Sequence, residues 1–306
     1  MTSETSQNLK LEERINIMEM TKGYLRLEGK IWGLNNKESF ANSVKKSLSF
    51  GLQSSKTNTN YVQVGDWISS KLNVKIRANS DDEVTELGEQ EAIDFVKANF
   101  KDGDSVYLNI RADVDTYHKK LVWIISQMYK KSETIDFDSA DFEEVNELNQ
   151  SVIITEKPSD GKVKVGVTTF YGEMLELELV LEDEVVKEYF EENAKVGDLM
   201  HVTIDVDNRP IYEEGEVETG EPSKERTTLK GKKMGGENKK SFKKIKNRDL
   251  VLSISDVDTE KNEKSKYTRD EIREALEKTG NKKSNKSNSS NSKGDITPVD
   301  DGDLPF

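Results

Sequence analysis

Two small Greek-key barrels in tandem, in a mainly β chain, are the fold class this sequence predicts, and three observations carry it. Apolar and polar residues alternate with a period of two at 24–32, 71–77, 105–114 and 174–181, the pattern of half-buried strands. Helical periodicity is confined to short stretches between such runs. A helix–turn–strand block around residue 103 recurs once around residue 197, as in an internal duplication. The chain has 306 residues, 33% hydrophobic and 34% charged. Against globular averages of about 45–50% apolar and about 25% charged, this fits two modest cores with solvated tails better than one large core.

Residues 1–20 form an N-terminal segment without a clear cap. From Tyr24, the side chains of Leu25, Leu27 and Ile31 point one way and those of Tyr24, Arg26, Lys30 and Trp32 the other. Residues 35–60, rich in Asn, Ser and Lys, read as loop or a short ribbon. Strand signals return at 61–77, with Leu72, Val74 and Ile76 on the apolar face and Trp67, Lys71, Asn73, Lys75 and Arg77 on the other. An acidic turn leads into a short helix at 89–100. A strand from Ser105 to Val114 turns Tyr107, Asn109 and Arg111 outward, and a further strand runs through 119–129. Strands, one helix and strands again is the order of a small Greek-key barrel of the oligonucleotide-binding type, expected over 21–135.

The second barrel is expected over 145–278. Laying EAIDFVKANFKDGDSVYLNIRADVD on VVKEYFEENAKVGDLMHVTIDVD places Asn99 on Asn193, Lys101 on Lys195, Gly103 and Asp104 on Gly197 and Asp198, and Asp113 on Asp207. Its alternating strand turns Leu175, Leu177, Leu179 and Leu181 inward and Glu176, Glu178 and Glu182 outward, so this barrel should repel a polyanion there. A flexible basic insertion is expected at 213–248, with DLVLSISDV after it closing the barrel. TRDEIREALEKTG reads as a helix with a Thr268–Glu271 capping box. Residues 279–306 are a Ser/Asn/Gly linker and a disordered acidic tail.

The net charge is −13, unevenly spread: +7 over 21–80, −11 over 81–150, −13 over 151–223 and +9 over 224–248. Such asymmetry suggests one surface for a polyanion on an otherwise self-repelling body. The chain holds no cysteine and two histidines, His118 and His201, which excludes disulfides and thiolate zinc and leaves little for a Ser-His-Asp triad. The P-loop, Rossmann, HExxH and GxSxG motifs are missing. Asp113–Asp115 and Asp136–Asp138–Asp141 follow strand patterns and read as turn residues, so no metal, cofactor or catalysis is expected. With no apolar run of about 18 residues and no signal-peptide core at the N-terminus, a cytoplasmic chain that avoids membranes is expected.

Binding an unpaired strand without sequence preference needs cations along the phosphates and flat rings on which bases stack. Both occur in the first barrel. The candidate nucleic-acid contacts are Lys30, Trp32, Lys45, Lys46, Tyr61, Trp67, Lys71, Lys75, Arg77, Tyr107, Arg111 and Trp123. By strand parity Trp32, Trp67 and Tyr107 share the outward face with Lys30, Lys71, Lys75 and Arg111.

The chain closes on DITPVDDGDLPF. Asp300, Asp301 and Asp303 supply charge, Pro305 holds Leu304 extended, and Phe306 presents a ring beside the terminal carboxylate. This tip resembles the acidic C-terminal tail of bacterial and bacteriophage single-stranded-DNA-binding proteins, with Gly302 interrupting the acidic run. The resemblance implies a barrel that coats single-stranded DNA and a tip that docks replication, recombination and repair proteins. Two barrels with a long basic insertion look more like a phage-encoded replication protein in its host's cytoplasm. The second barrel could replace part of the family's homo-oligomeric assembly. The alternative is an acidic adaptor or inhibitor that binds a host protein and no nucleic acid, which the charge of 81–223 motivates.

Overall fold

The computed structural model describes residues 18–34, 41–42, 47–65, 73–79, 81–212, 226–227, 233–234 and 244–281. Lys45, Lys46, Trp67, Lys71, most of the basic insertion, and the tip with Asp300, Asp301, Asp303, Leu304, Pro305 and Phe306 lie outside the described residues. The described chain is mainly β and contains a closed five-stranded barrel. That barrel is made of β1 (Gly23–Trp32), β3 (Ser47–Gln53), β4 (Thr59–Val64), β7 (Ser105–Asp115) and β8 (Lys120–Lys130). β1 pairs with β3, β3 with β4, β4 with β8 through one parallel bridge, β8 with β7, and β7 back with β1. The short β2 (Ala41–Asn42) adds to β3, while β5 (Val74–Arg77) runs parallel to β8 and carries β6 (Thr85–Leu87). Helix α1 (Glu89–Asn99) stands between β6 and β7. This order is consistent with a barrel of the oligonucleotide-binding type.

Burial follows the expected alternation along β1, where Leu25 and Leu27 are fully buried and Tyr24 and Arg26 exposed. One expectation is overturned at 35–60. SLSFGLQ within it is a strand whose Leu48, Phe50 and Leu52 fill the core; the Asn and Ser around it hide a three-residue apolar alternation.

The same pairing circuit recurs in the second half, through β9 (Asn146–Ile154), β10 (Lys162–Thr168), β11 (Met174–Val180), α2 (Glu184–Asn193), β12 (Leu199–Tyr212) and β15 (Lys244–Val257). β9 pairs with β10, β10 with β11, β11 with β15 through one parallel bridge, β15 with β12, and β12 with β9. A separate ribbon joins β13 (Arg226–Thr227) to β14 (Lys233–Met234), and α3 (Arg269–Asn281) opens on the expected Thr268–Glu271 box. The basic insertion is shorter than expected. The β12–β15 ladder continues through Pro210↔Arg248 to Tyr212↔Lys244, so 244–248 belong to a strand. None of the described helices is long and apolar enough to cross a membrane.

The two circuits agree down to single hydrogen bonds. Asn99 and Asn193 each donate from Nδ2 to the carbonyl four residues back, of Phe95 and Tyr189. The carboxylates of Asp104 and Asp198 accept from the amides of Lys101 and Lys195, both at 3.0 Å. Gly103 and Gly197 take φ of 86° and 95°, a region that favours glycine. Each circuit has a β-bulge at the equivalent place, between Asn109 and Ile110 and between Thr203 and Ile204. In each, the serine of the bulged strand reaches across: Ser126 Oγ donates to the Asn109 carbonyl and Ser255 Oγ to that of Thr203.

The circuits meet along β1 and β9, antiparallel, with Leu25 opposite Leu148. By the spacing that relates the two strands (Ile31 and Ile154 both donate to the carbonyl of the aspartate just named), Leu148 is the counterpart of Leu25. The seam therefore has a pseudo-twofold axis through that pair. The reciprocal contacts obey it. The β3–β4 turn reaches Glu144 just before β9, through Ser54 Oγ and Asn58 Nδ2, and the end of β10 reaches Thr21 just before β1, through Thr168. One buried apolar cluster, including Leu25 and Leu148, runs through both circuits.

Candidate nucleic-acid interface

The outward side chains of β7, β8 and β5 form two rows set by strand register. In the first, Tyr107 lies opposite Tyr129 and Tyr129 beside Arg77; in the second, Asn109 lies opposite Gln127 and Gln127 beside Lys75. The Tyr107 and Tyr129 rings are 10° from parallel with centroids 6.3 Å apart, and the Arg77 guanidinium stands 5.2 Å from the Tyr129 centroid. The amide row fixes the phenols: Tyr107 OH donates to Asn109 Oδ1 at 2.8 Å, Asn109 Nδ2 to Gln127 Oε1 at 2.6 Å, and Tyr129 OH to the same oxygen at 3.3 Å. Rings held this way lose little rotamer freedom on binding. Arg77 Nε is buried and has no hydrogen-bond partner among the described residues, which costs desolvation free energy. Lys75 is exposed. An open groove beside this row is lined by Arg77, Tyr107, Tyr129, Lys130, Lys131 and Glu133.

Other cations here are already engaged. The expected Arg111 pairs with Asp113 at 3.0 Å, and two lysines that were not among the expected contacts pair as well, Lys130 with Asp104 at 2.8 Å and Lys131 with Glu28. Lys30 lies 4.9 Å from the Phe137 ring. Residues 131–145, which join the circuits, cross the outer face of β1 here: Ile135 donates to Ser105 Oγ and Asp138 pairs with Lys56.

A second aromatic row lies where β1 meets β3 and β4. Trp32, Gly51 and Tyr61 are in register. The half-buried indole lies against Gly51, where an added Cβ would come within 2.9 Å of Trp32 Cε3. Tyr61 is 38% exposed. The single cationic face expected for Trp32 and Tyr107 is thus two rows, divided by the segment 131–145 across β1.

Trp123 is corrected outright: at 6% exposure it is part of the core, opposite Ala112. The bulge explains this. The extra residue Ser126 switches the parity of β8, so Trp123 and Ile125 point inward while Gln127 and Tyr129 point outward. Tyr129 and Gln127 were missed as site residues for the same reason, with a serine interrupting an apolar alternation as the signal the sequence carries; Asn109 was placed outward but left out because a neutral amide is neither a cation nor a ring.

At the equivalent positions of the second circuit, His201 replaces Tyr107, Thr203 replaces Asn109, Asp205 replaces Arg111, Asp256 replaces Gln127 and Asp258 replaces Tyr129. Burial, and next the carboxylates of Asp207, Glu147 and Glu182, push the Asp205 carboxyl above its ordinary value against the hydrogen bond from Ser255. His201 Nδ1 meets Ser151 Oγ at 3.0 Å. An anion would find no welcome on this face.

The YorF family model matches residues 39–292. The chain belongs to the YorF family. That YorF match covers the first circuit from β2 onward, without β1, and all of the second circuit, the basic insertion and α3. No curated protein matches the chain.

Proposed function

We propose that the chain is a tandem oligonucleotide-binding-fold protein that coats single-stranded DNA through its first circuit and recruits replication, recombination or repair proteins through its acidic C-terminal tip. It is not an enzyme on this reading. The observation that carries it is the Tyr107–Tyr129–Arg77 row: two near-parallel rings with locked phenols, and a guanidinium over one of them, facing outward on a closed barrel. Base stacking on such rings contributes about 1–3 kcal/mol per base whatever the sequence, and the neighbouring Lys75 adds a salt-dependent phosphate contact. The Trp32–Tyr61 row offers a second place for bases on the same barrel. Titrating a labelled oligo-dT and the matching duplex at low and high salt tests this. Binding of the single strand that weakens with salt is expected; no binding at low salt would end the reading.

The face bearing Glu147, Asp205 and Asp207 favours a second reading, an acidic adaptor that binds a basic protein. Salt-sensitive capture of a basic protein by a chain inert to every oligonucleotide would support it.

A further inference from the structure

The segment that divides the two aromatic rows is acidic and lightly held. Residues 132–145 carry six carboxylates and no lysine or arginine, and none of them is fully buried. Its two ends are tied to the barrel. Lys131 N donates to the Ser105 carbonyl at 2.9 Å, and Glu144 Oε1 accepts from Ser54 Oγ at 2.8 Å and from Asn58 Nδ2 at 2.7 Å. Between these ties the chain turns on itself. Ser139 N donates to the Asp136 carbonyl and Phe142 N to that of Ser139, both at 3.2 Å, and the Phe137 and Phe142 rings meet edge to face with centroids 5.3 Å apart. This middle part touches the barrel through Phe137 against Lys30, Asp138 on Lys56, and the bond from Ile135 N to Ser105 Oγ.

The segment after β15 meets the equivalent positions of the second circuit, and there it is sealed. By the spacings that relate the circuits, Leu199 is the counterpart of Ser105 and Ile153 that of Lys30. Leu199 and Glu263 exchange backbone hydrogen bonds at 2.9 Å. Leu199 and Ile153 are buried in one apolar cluster with Ile272 and Ala275 of α3. Lifting α3 would put that cluster in water, which the hydrophobic effect opposes. Lifting 132–143 breaks a surface ion pair and a cation–π contact, each weak in water, and a segment with so little buried is the kind that opens locally.

A strand running from the Tyr107–Tyr129 row to the Trp32–Tyr61 row has to cross β1 between Glu28 and Trp32, which are in register with Tyr107 and with Gly51. The acidic segment lies on that path. Its consecutive Phe137 and Asp138 lay a ring over one lysine and a carboxylate on another; a ring beside an anion is also what each nucleotide offers. We propose that residues 132–143 are a strap that occupies the place of the nucleic acid on β1 and that a bound strand displaces, which joins the two rows into one path; this rests on the single-strand reading above.

The experiment uses the full chain at low salt and fluorescein-labelled oligo-dT, followed by anisotropy. One strand has about sixteen nucleotides, the upper end of one barrel's site, and the other about four, which one row accommodates. Phe137→Ala combined with Asp138→Asn should bind the long strand on the order of fivefold more tightly than the unaltered chain and the short strand equally well. Glu188→Gln, on exposed α2 surface of the second circuit, removes the same single charge and should change neither affinity. Hydrogen exchange reads the displacement directly: the long strand at saturation should speed exchange at the amides of Ile135, Ser139 and Phe142, and a thermal melt shows that each variant is folded. Unaltered affinity in the double variant, equal tightening by Glu188→Gln or for both lengths, or unchanged or slower exchange at those amides would overturn the proposal and leave the segment a fixed link. Binding by the double variant alone would support it. If neither chain binds either strand, the single-strand reading itself falls, which is a distinct result.

Discussion

The two circuits share a frame and differ in what they hang on it. Both place a helix, a tight glycine turn held by an aspartate, and a bulged strand pair in the same order, and the bulge faces the same positions outward in each. On the first, those positions are Tyr107, Asn109, Arg111, Gln127 and Tyr129. On the second they are His201, Thr203, Asp205, Asp256 and Asp258. The backbone thus fixes where a surface is presented, and five side chains decide what can lie on it. One frame carries a row of aromatic rings with an arginine and the other a row rich in carboxylates.

The comparison can be broken first at its axis. Leu25→Ala and Leu148→Ala remove fully buried side chains that face each other across the seam, and each should cost about 2–5 kcal/mol of stability. If one core serves both circuits, urea denaturation of either variant follows a single transition with a similar loss; two separate transitions would show that the circuits unfold independently. The paired glycines sharpen the point. Gly103→Ala meets open space and should cost only the left-handed backbone, about 1–2 kcal/mol. At Gly197 the added Cβ runs into the carbonyl of Tyr267, so Gly197→Ala adds overpacking of about 1–3 kcal/mol. Equal losses at the two sites would mean the Tyr267 segment yields freely.

Surface exchange comes next. Tyr107→Ala and Tyr129→Ala should each weaken single-strand binding by about 1–3 kcal/mol, while His201→Ala leaves it unchanged; equal effects in oligonucleotide titrations would erase the contrast. The smallest effect is expected at Asp205. Its carboxyl binds a proton more readily folded than unfolded, so its ionised form opposes folding, and this penalty grows as pH rises from the ordinary carboxylate range through the raised folded value. Asp205→Asn should therefore raise the melting temperature slightly at pH 7, an advantage that shrinks as the pH is lowered towards 3.

Much of the frame was legible from alternation, because strands with one wet face write their burial into the sequence. The overlay of Asn99 on Asn193 and Asp104 on Asp198 found equivalences that the hydrogen bonds repeat. The site was less legible, for two reasons. A bulge changes parity without changing composition, so Trp123 and Tyr129, which a plain count puts on one face, lie on opposite faces. Whether Trp32 and Tyr107 share a surface also depends on how a barrel curves and on where residues 131–145 run, which no local pattern records. The strand Ser47–Gln53 shows a third limit: a short apolar alternation is easily lost among polar neighbours.

The pairing of Leu25 with its own counterpart has a consequence for how the molecule holds together. Edges that match in this self-complementary way are those by which two identical subunits join, and the β1–β9 register itself runs over residues 23–27 and 146–150, beyond the peptide that links the circuits. A chain severed there should stay assembled as two non-covalent halves, like an ancestral homodimer whose genes were later fused end to end.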